Sequence, residues 1–303
     1  MTTERPATKI LLPIDVAHLH PESFAVLKEF LPLDEAELCL LYVREELPAY
    51  ESMLGTMADF PTDLPNQLEH RAKEVLTAQA ETLAPGAKSV KTEITLGPPA
   101  LMIETVAKDL NCDLVAMVPG THTKVATYLI GSTCERVVKH THSSVLIIRS
   151  ANAIPLKNVV IGIDGSDSAN EAMLKAAELF SFAKRDLNIT LVNVVSVTNV
   201  FKFISPARFV AAVEDNLMMS GEACLAGAEK LLSDAGVKKI EVKLRSGDAA
   251  TEVIKVATEV DAQLIVVGAQ GRSAIEHFLL GSTSSKVATH APCTTFVFKK
   301  SEP

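Results

Sequence analysis

Three hundred and three residues, 48% hydrophobic and 22% charged, describe a globular chain long enough for about two domains of about 150 residues each. No apolar run approaches the about 18 residues of a membrane span, and residues 1–6 lead into a short apolar stretch without a signal-peptide pattern, so a cytoplasmic location is expected and membrane partners are not. A net charge of -8, no Trp and 5% aromatics exclude a general nucleic-acid binder, and the five scattered cysteines offer neither a disulfide framework nor a CxxC zinc site.

Taken in chain order, short runs rich in Val, Ile and Leu alternate with segments of helical period, the pattern of β-α-β units around a buried parallel sheet. In the first half the pattern predicts strands near 8–14, 37–43, 91–96, 113–118 and 144–149. Residues 150–155 follow neither period and read as a joint between domains at 1–150 and 151–303. In the second half strands are predicted near 158–163, 188–195, 239–244, 263–267 and 294–299, with four helices between them. The first of those helices starts after Gly165-Ser166-Asp167, whose oxygens suit free N–H groups, and carries Ala172, Leu174, Ala176, Ala177, Leu179 and Phe180. Segments 44–63 and 196–206 mix Pro, Gly and aromatic residues without a clear period and are expected to be loops or lids.

The two halves are one unit written twice. Lys9-Ile10-Leu11-Leu12-Pro13-Ile14-Asp15 resembles Lys157-Asn158-Val159-Val160-Ile161-Gly162-Ile163-Asp164, an apolar run closed by aspartate. Tyr128-Leu129-Ile130-Gly131-Ser132-Thr133 lines up with Phe278-Leu279-Leu280-Gly281-Ser282-Thr283, and Gly97 with Gly247. The fold class expected is therefore α/β: two tandem open-sheet domains with helices on both faces.

Open parallel sheets bind ligands beyond the carboxyl ends of their strands. In the second half Asp164 and the loop after Val267 end there. That loop places Gly268 and Gly271 where backbone can approach an anion and turn with positive φ, and Gly281-Ser282-Thr283-Ser284 opens a helix whose free N–H groups suit phosphate. Plainer readings stand beside these: turn geometry alone for the glycines, an Asx turn or helix cap for Asp164, and an exposed arginine rather than a phosphate guide for Arg272. His18-Leu19-His20 and His140-Thr141-His142 are alternating pairs held too far apart by this fold to share a metal. Cys134, in the first turn of a helix, reads either as a packed thiol or as one with a lowered pKa, and Cys293 has no assigned role.

At these residues the sequence resembles the universal stress protein family, whose nucleotide-binding members carry Gly, two residues, Gly, nine residues, then Gly and Ser or Thr. The second half matches that spacing in full, and the resemblance spans both halves. It implies a five-stranded parallel sheet of order 3-2-1-4-5 in each domain, pairing of the domains through their last strands, and association of two chains into a homodimer around this internal pseudo-dimer. It also implies an adenine nucleotide, ATP or AMP or ADP, with a divalent ion such as Mg2+ bridging phosphates. Asp164 would then sit at the nucleoside and the backbone around Val194 at the adenine edge. Gly268, Gly271, Gly281, Ser282, Thr283 and Ser284 would hold ribose and phosphates. Gly162 stands where many members have proline. In the first half the two loop-glycine positions are Val118 and Thr121, Gly120 is out of register, and Cys134 replaces the hydroxyl of Ser284, so that triphosphate site is expected to be lost. The function expected is a nucleotide-dependent binding switch. Slow ATP hydrolysis, with Glu276 and His277 near the loop, and a purely structural role are the alternatives.

Overall fold

The computed structural model describes residues 7–16, 22–45, 64–117, 130–149, 154–196, 206–271 and 280–300. The first half holds strands β1 (Thr8–Pro13), β2 (Ala36–Arg44), β3 (Ser89–Leu96), β4 (Leu114–Met117) and β5 (Ser144–Ile147), with helices α1 (Glu22–Phe30), α2 (Leu64–Leu83), α3 (Pro99–Asp109) and α4 (Ser132–His140). The second holds β6 (Asn158–Gly162), β7 (Asn188–Val195), β8 (Ile240–Ser246), β9 (Leu264–Gly268) and β10 (Thr294–Phe298), with α5 (Asp167–Leu179), α6 (Ala207–Asp234), α7 (Ala249–Glu259) and α8 (Ser282–His290). The expected loop segments at 44–63 and 196–206 fall largely outside the described residues, as do Val118, Gly120 and Thr121, His18 and His20, and residues 150–153 of the expected joint.

All ten strands form one sheet, ordered β3-β2-β1-β4-β5-β10-β9-β6-β7-β8. Each half keeps the order 3-2-1-4-5 with parallel neighbours. The halves meet where β5 and β10 run antiparallel, Val145 opposite Val297 and Ile147 opposite Thr295. The expected two five-stranded sheets are thus joined into one, because last strands paired antiparallel leave no exposed edge at the junction. Both faces of the sheet are sealed by apolar residues drawn from both halves, Ile10, Leu146, Ile161 and Phe296 on one face and Leu11, Val145, Val160 and Val297 on the other. Strands buried on both faces require the continuous Val-Ile-Leu runs seen in the sequence.

Aromatic rings and half-buried cations lock the junction. Phe180 meets Phe296 edge-on at 5.4 Å and Phe30 of the first half at 6.5 Å, geometry that adds about 0.5–1.5 kcal/mol per pair beyond burial. The residues after the two last strands reach across reciprocally. Lys299 Nζ donates to the Thr141 carbonyl at 2.6 Å and the Lys139 carbonyl at 3.4 Å, closing the C-terminus of α4. Arg149 Nη2 donates to the Ala288 carbonyl in α8. Burial holds Lys299 down to about 8.

The duplication is also written in the backbone. Gly97 and Gly247, each closing an outer strand, have φ of 143° and 146°, a conformation that a side chain resists. Asn111 and Asp261 share left-handed φ of 50° and 48° at the ends of α3 and α7. One helix face differs from expectation. In α5 the buried residues are Ala169, Ala172, Met173, Ala176 and Leu179, whereas Leu174 is exposed, since the 3.6-residue period turns position 174 away from the sheet.

Candidate functional site

Strands β6 and β9 are parallel neighbours, Ile161 opposite Val266, so Asp164 and the loop from Gly268 leave the sheet side by side. Their crossover helices depart to opposite faces, which opens a crevice there. Asp164 Oδ1 accepts from Ser166 N at 3.0 Å and Ser166 Oγ at 2.6 Å, and Ser166 Oγ accepts from Ala169 N at 3.2 Å. This Asx turn with its helix cap accounts for Oδ1, and Gly165, φ 82°, makes the turn. Asn193, buried in β7, fixes the preceding residue by donating from Nδ2 to the Ile163 carbonyl at 2.7 Å.

The other oxygen of Asp164 meets the loop. A methyl group placed on Gly271 would lie 2.6 Å from Asp164 Oδ2. One on Gly268 would lie 2.7 Å from Ser168 Oγ and 3.0 Å from the Ser168 carbonyl oxygen, and one on Gly281 would lie 3.2 Å from the Ala269 carbonyl oxygen. None of these three glycines has a positive φ. The expectation of left-handed turns is therefore corrected: these positions are crowded by close approach of neighbouring atoms, most tightly at Gly268 and Gly271. Gly162 is different, for a methyl there would be 3.5 Å from Val267 Cγ1, ordinary contact, consistent with Pro13 at the same place in the first half.

Helix α8 begins beside this loop. Gly281 N donates to the Ala269 carbonyl at 2.8 Å, bringing the helix mouth against the strand end. Ser282 is exposed and Thr283 half-buried, at the turn where a helix leaves its first amides without intrahelical partners. Ser284 is buried and its Oγ donates to the Gly268 carbonyl, so this hydroxyl latches the loop to the helix. Val194 lies half-buried near the end of β7, opposite Arg245 of β8. Arg272, Glu276 and His277 lie outside the described residues.

Two residues were not foreseen. Asp248 caps α7 by accepting from Thr251 N at 3.0 Å and Oγ1 at 2.8 Å, and it accepts from Lys286 Nζ of α8 at 3.0 Å. The Thr251 bonds, helped by Lys286, hold its carboxyl down to about 2. The Asp-x-x-Thr spacing was a legible cap signal; the tie to α8 was not. Asn193 announced itself only as an amide in the apolar interior of β7.

The first half presents the same helix mouth with different surroundings. Gly131 caps α4 as Gly281 caps α8, and nothing lies within 4 Å of a methyl placed on it. Cys134 stands at the position of Ser284. Burial pushes its thiol up to about 12 against the pull of the Arg149 guanidinium, so the alternative of a lowered thiol pKa is corrected. Burial likewise pushes Cys293 up to about 12. Asp15 is exposed, and Tyr42 occupies the position of Asn193, its phenol raised by burial and by Asp15. Burial raises the half-buried Glu104 near His140 and His142, and no group of three or more His, Cys, Asp or Glu among the described residues is placed to hold a metal ion. No helix among them is long and apolar enough to cross a membrane.

Comparison with known proteins matches the model of the Universal stress protein family twice, at residues 6–149 and 155–299. A Staphylococcus saprophyticus protein named as a universal stress protein is 33% identical over 148 residues, 48% of this chain and 85% of that protein. One from Staphylococcus aureus is 33% identical over 151 residues, 49% of this chain and 87% of its own length. Among solved structures, a universal stress protein from Archaeoglobus fulgidus superimposes with a TM-score of 0.66 at 22% identity, covering 97% of both chains.

Proposed function

This chain belongs to the universal stress protein family, and from that premise we propose that its second half is a receptor for an adenine nucleotide and its first half a packing partner. The nucleotide is ATP, with a divalent ion between its phosphates, and the division runs at 1–150 and 151–303. The observation that carries the reading is the set of three glycines, Gly268, Gly271 and Gly281, each crowded against Ser168, Asp164 or the Ala269 carbonyl where a side chain would stand, all beside the mouth of α8. Bare backbone beside a helix N-terminus supplies N–H donors and about half a positive charge. Each charge-assisted hydrogen bond to phosphate adds about 1.5–3 kcal/mol, so a few hold a nucleotide without a P-loop lysine.

In this reading the amides of Ser282, Thr283 and Ser284 and those of the loop take the phosphates, Arg272 guides them, Asp164 faces the nucleoside, and the backbone at Val194 meets the base. Ser284 acts through its latch on the Gly268 carbonyl. The role is a cytoplasmic, stress-associated binding switch rather than catalysis. Phosphate at the helix mouth biases α8, which touches α4 and the Arg149 guanidinium of the first half. Calorimetry of the intact chain with ATP, AMP and cyclic AMP, together with mass spectrometry of any molecule retained through purification, tests it. Binding of ATP is the expected result; silence toward all three nucleotides and no retained nucleotide defeats the reading.

A further inference from the structure

At the end of the second half remote from Gly268, the starts of β9 and β10 and the C-terminus of α7 face α1 of the first half across a cleft of about 310 Å³. Val26 and Phe30 of α1, Ala257 of α7 and Ala262 make an apolar floor, and the exposed Ile154 adds an apolar wall. Clefts that take small molecules begin near this volume and favour the seams between domains. The rim is polar, and most of it serves the fold. Gln263 Oε1 accepts from Lys157 N at 3.1 Å and Asn158 N at 2.8 Å, its Nε2 donates to the Asp261 carbonyl, and Thr258 Oγ1 donates to the Ile254 carbonyl at 3.0 Å. Asp261 alone brings a charge. It is exposed, no described cation pairs with its carboxylate, and no Lys, Arg or His is among the described residues of the lining.

The duplication shows what the fold itself requires here. Helices α3 and α7 are equivalent, and so are Asn111 and Asp261, which follow them at left-handed φ of 50° and 48°. Helices α1 and α5 are equivalent too, the buried Leu27, Phe30, Leu31 and Leu33 matching Ala176, Leu179, Phe180 and Phe182. In the equivalent place around α3, Lys108 stands for Thr258, Lys175 for Val26, Asn111 for Asp261, Asp113 for Gln263 and His142 for Pro292. Two lysines against one carboxylate there become a lone carboxylate here. The chain also supplies its own ammonium to α3: Lys9 Nζ donates to the Leu110 carbonyl at 3.2 Å, whereas the matching bond on α7 comes from the neutral Asn158 Nδ2, to the Val260 carbonyl at 2.7 Å. A helix C-terminus carries about half a negative charge and favours a cation. Helix α3 has Lys9 and Lys108 there. Helix α7 has no basic residue in its last turn and gains Asp261, a charge the left-handed turn does not need, since Asn111 makes the same turn.

We propose that this cleft binds a small organic cation, an amine carrying a short apolar body. Its ammonium supplies to α7 the charge that Lys9 and Lys108 supply to α3, donating to the Asp261 carboxylate and the lone pairs of Thr258 Oγ1, and its apolar part lies on Phe30, Val26 and Ile154. The proposal does not depend on nucleotide binding, whose residues leave the opposite end of β9. Because part of the floor belongs to the first half and the carboxylate to the second, an occupied cleft ties the halves together, and mass action raises the melting temperature. A ligand of about ten heavy atoms in so small a site reaches a dissociation constant of about 1 mM.

Ligand-observed NMR and thermal melting of the full chain with phenethylamine test this, with 2-phenylethanol and phenylacetate as neutral and anionic matches of similar size. The amine should bind at about 1 mM and the alcohol at least about tenfold more weakly, because a charge-assisted hydrogen bond is at stake, and phenylacetate should not bind. Methyl shifts of Ile154 and Val26 should follow the amine titration. Asp261→Asn, which gives α7 the residue of its twin and keeps the turn, should lose the preference for amine over alcohol. Thr258→Lys, at an exposed position and carrying the lysine of α3, should weaken the amine likewise. Melting without any probe establishes that both variants are folded. No binding of phenethylamine at about 20 mM overturns the proposal. So does equal binding of amine and alcohol, a set of shifts confined to residues outside the cleft, or a folded Asp261→Asn chain that keeps the preference.

Discussion

Replacing Gly271 with alanine tests the cradle with a single methyl group. The added carbon would stand 2.6 Å from Asp164 Oδ2, well inside the about 3.5 Å at which such atoms make favourable contact. Asp164 has little freedom to yield, because Ser166 holds its other oxygen at 3.0 Å and 2.6 Å. Either the carboxylate turns and gives up those bonds, or the loop lifts and carries its amides away from the phosphates. Each hydrogen bond to a charged group contributes about 1.5–3 kcal/mol, and about 1.4 kcal/mol is tenfold in affinity. Losing the equivalent of one bond weakens ATP binding about 10- to 150-fold. Calorimetry of wild type and variant measures this, with thermal melting to establish that the variant is folded. A folded Gly271→Ala chain that binds ATP within about twofold of the wild type refutes the reasoning about close approach.

Three further outcomes follow from the same contacts. Burial raises Cys39 to about 11 and Cys112, Cys134 and Cys293 to about 12, against 9.0 for a free thiol; their stabilisation is complete below about pH 9 and fades as pH climbs toward those values, at about 1–2 kcal/mol per thiol near pH 10.5. Lys299, lowered from 10.5 to about 8, works with the opposite sign between those values, since the unfolded chain holds that proton longer; four groups outweigh one, so urea melts should show a less stable chain at pH 10.5 than at pH 8, and equal stability would contradict the burial of these thiols. Ser284→Ala removes the latch on the buried Gly268 carbonyl and should cost about 1–3 kcal/mol in denaturant unfolding; an unchanged midpoint would mean the latch is idle. Phe180→Ala, emptying the ring cluster with Phe30 and Phe296, should cost about 3–5 kcal/mol in a single transition, whereas two separate transitions would contradict a core shared by both halves.

Much of this fold was legible in the sequence because burial on both sheet faces forces long apolar runs, and a buried strand such as Leu264–Gly268 can be little else. The repeat at Gly97 and Gly247 was legible for the same kind of reason: a left-handed φ at a strand end tolerates few residues but glycine. Gly268, Gly271 and Gly281 were found, but for a cause that sequence could not separate, since a positive φ and a crowded approach both forbid a side chain. The direction of the Ser284 hydroxyl, inward onto Gly268, was hidden because serine at a helix start usually faces out. The placement of Arg149 and Lys299 was not legible at all, because only the antiparallel junction turns them onto the far helix.

Equilibrium dialysis of the intact chain against radiolabelled ATP, with the count of sites per chain as the readout, bears most directly on the division of labour between the halves. One site per chain, abolished by Gly271→Val and unaffected by Gly131→Val, is the predicted result. No site, two sites, or one that Gly131→Val removes would contradict it.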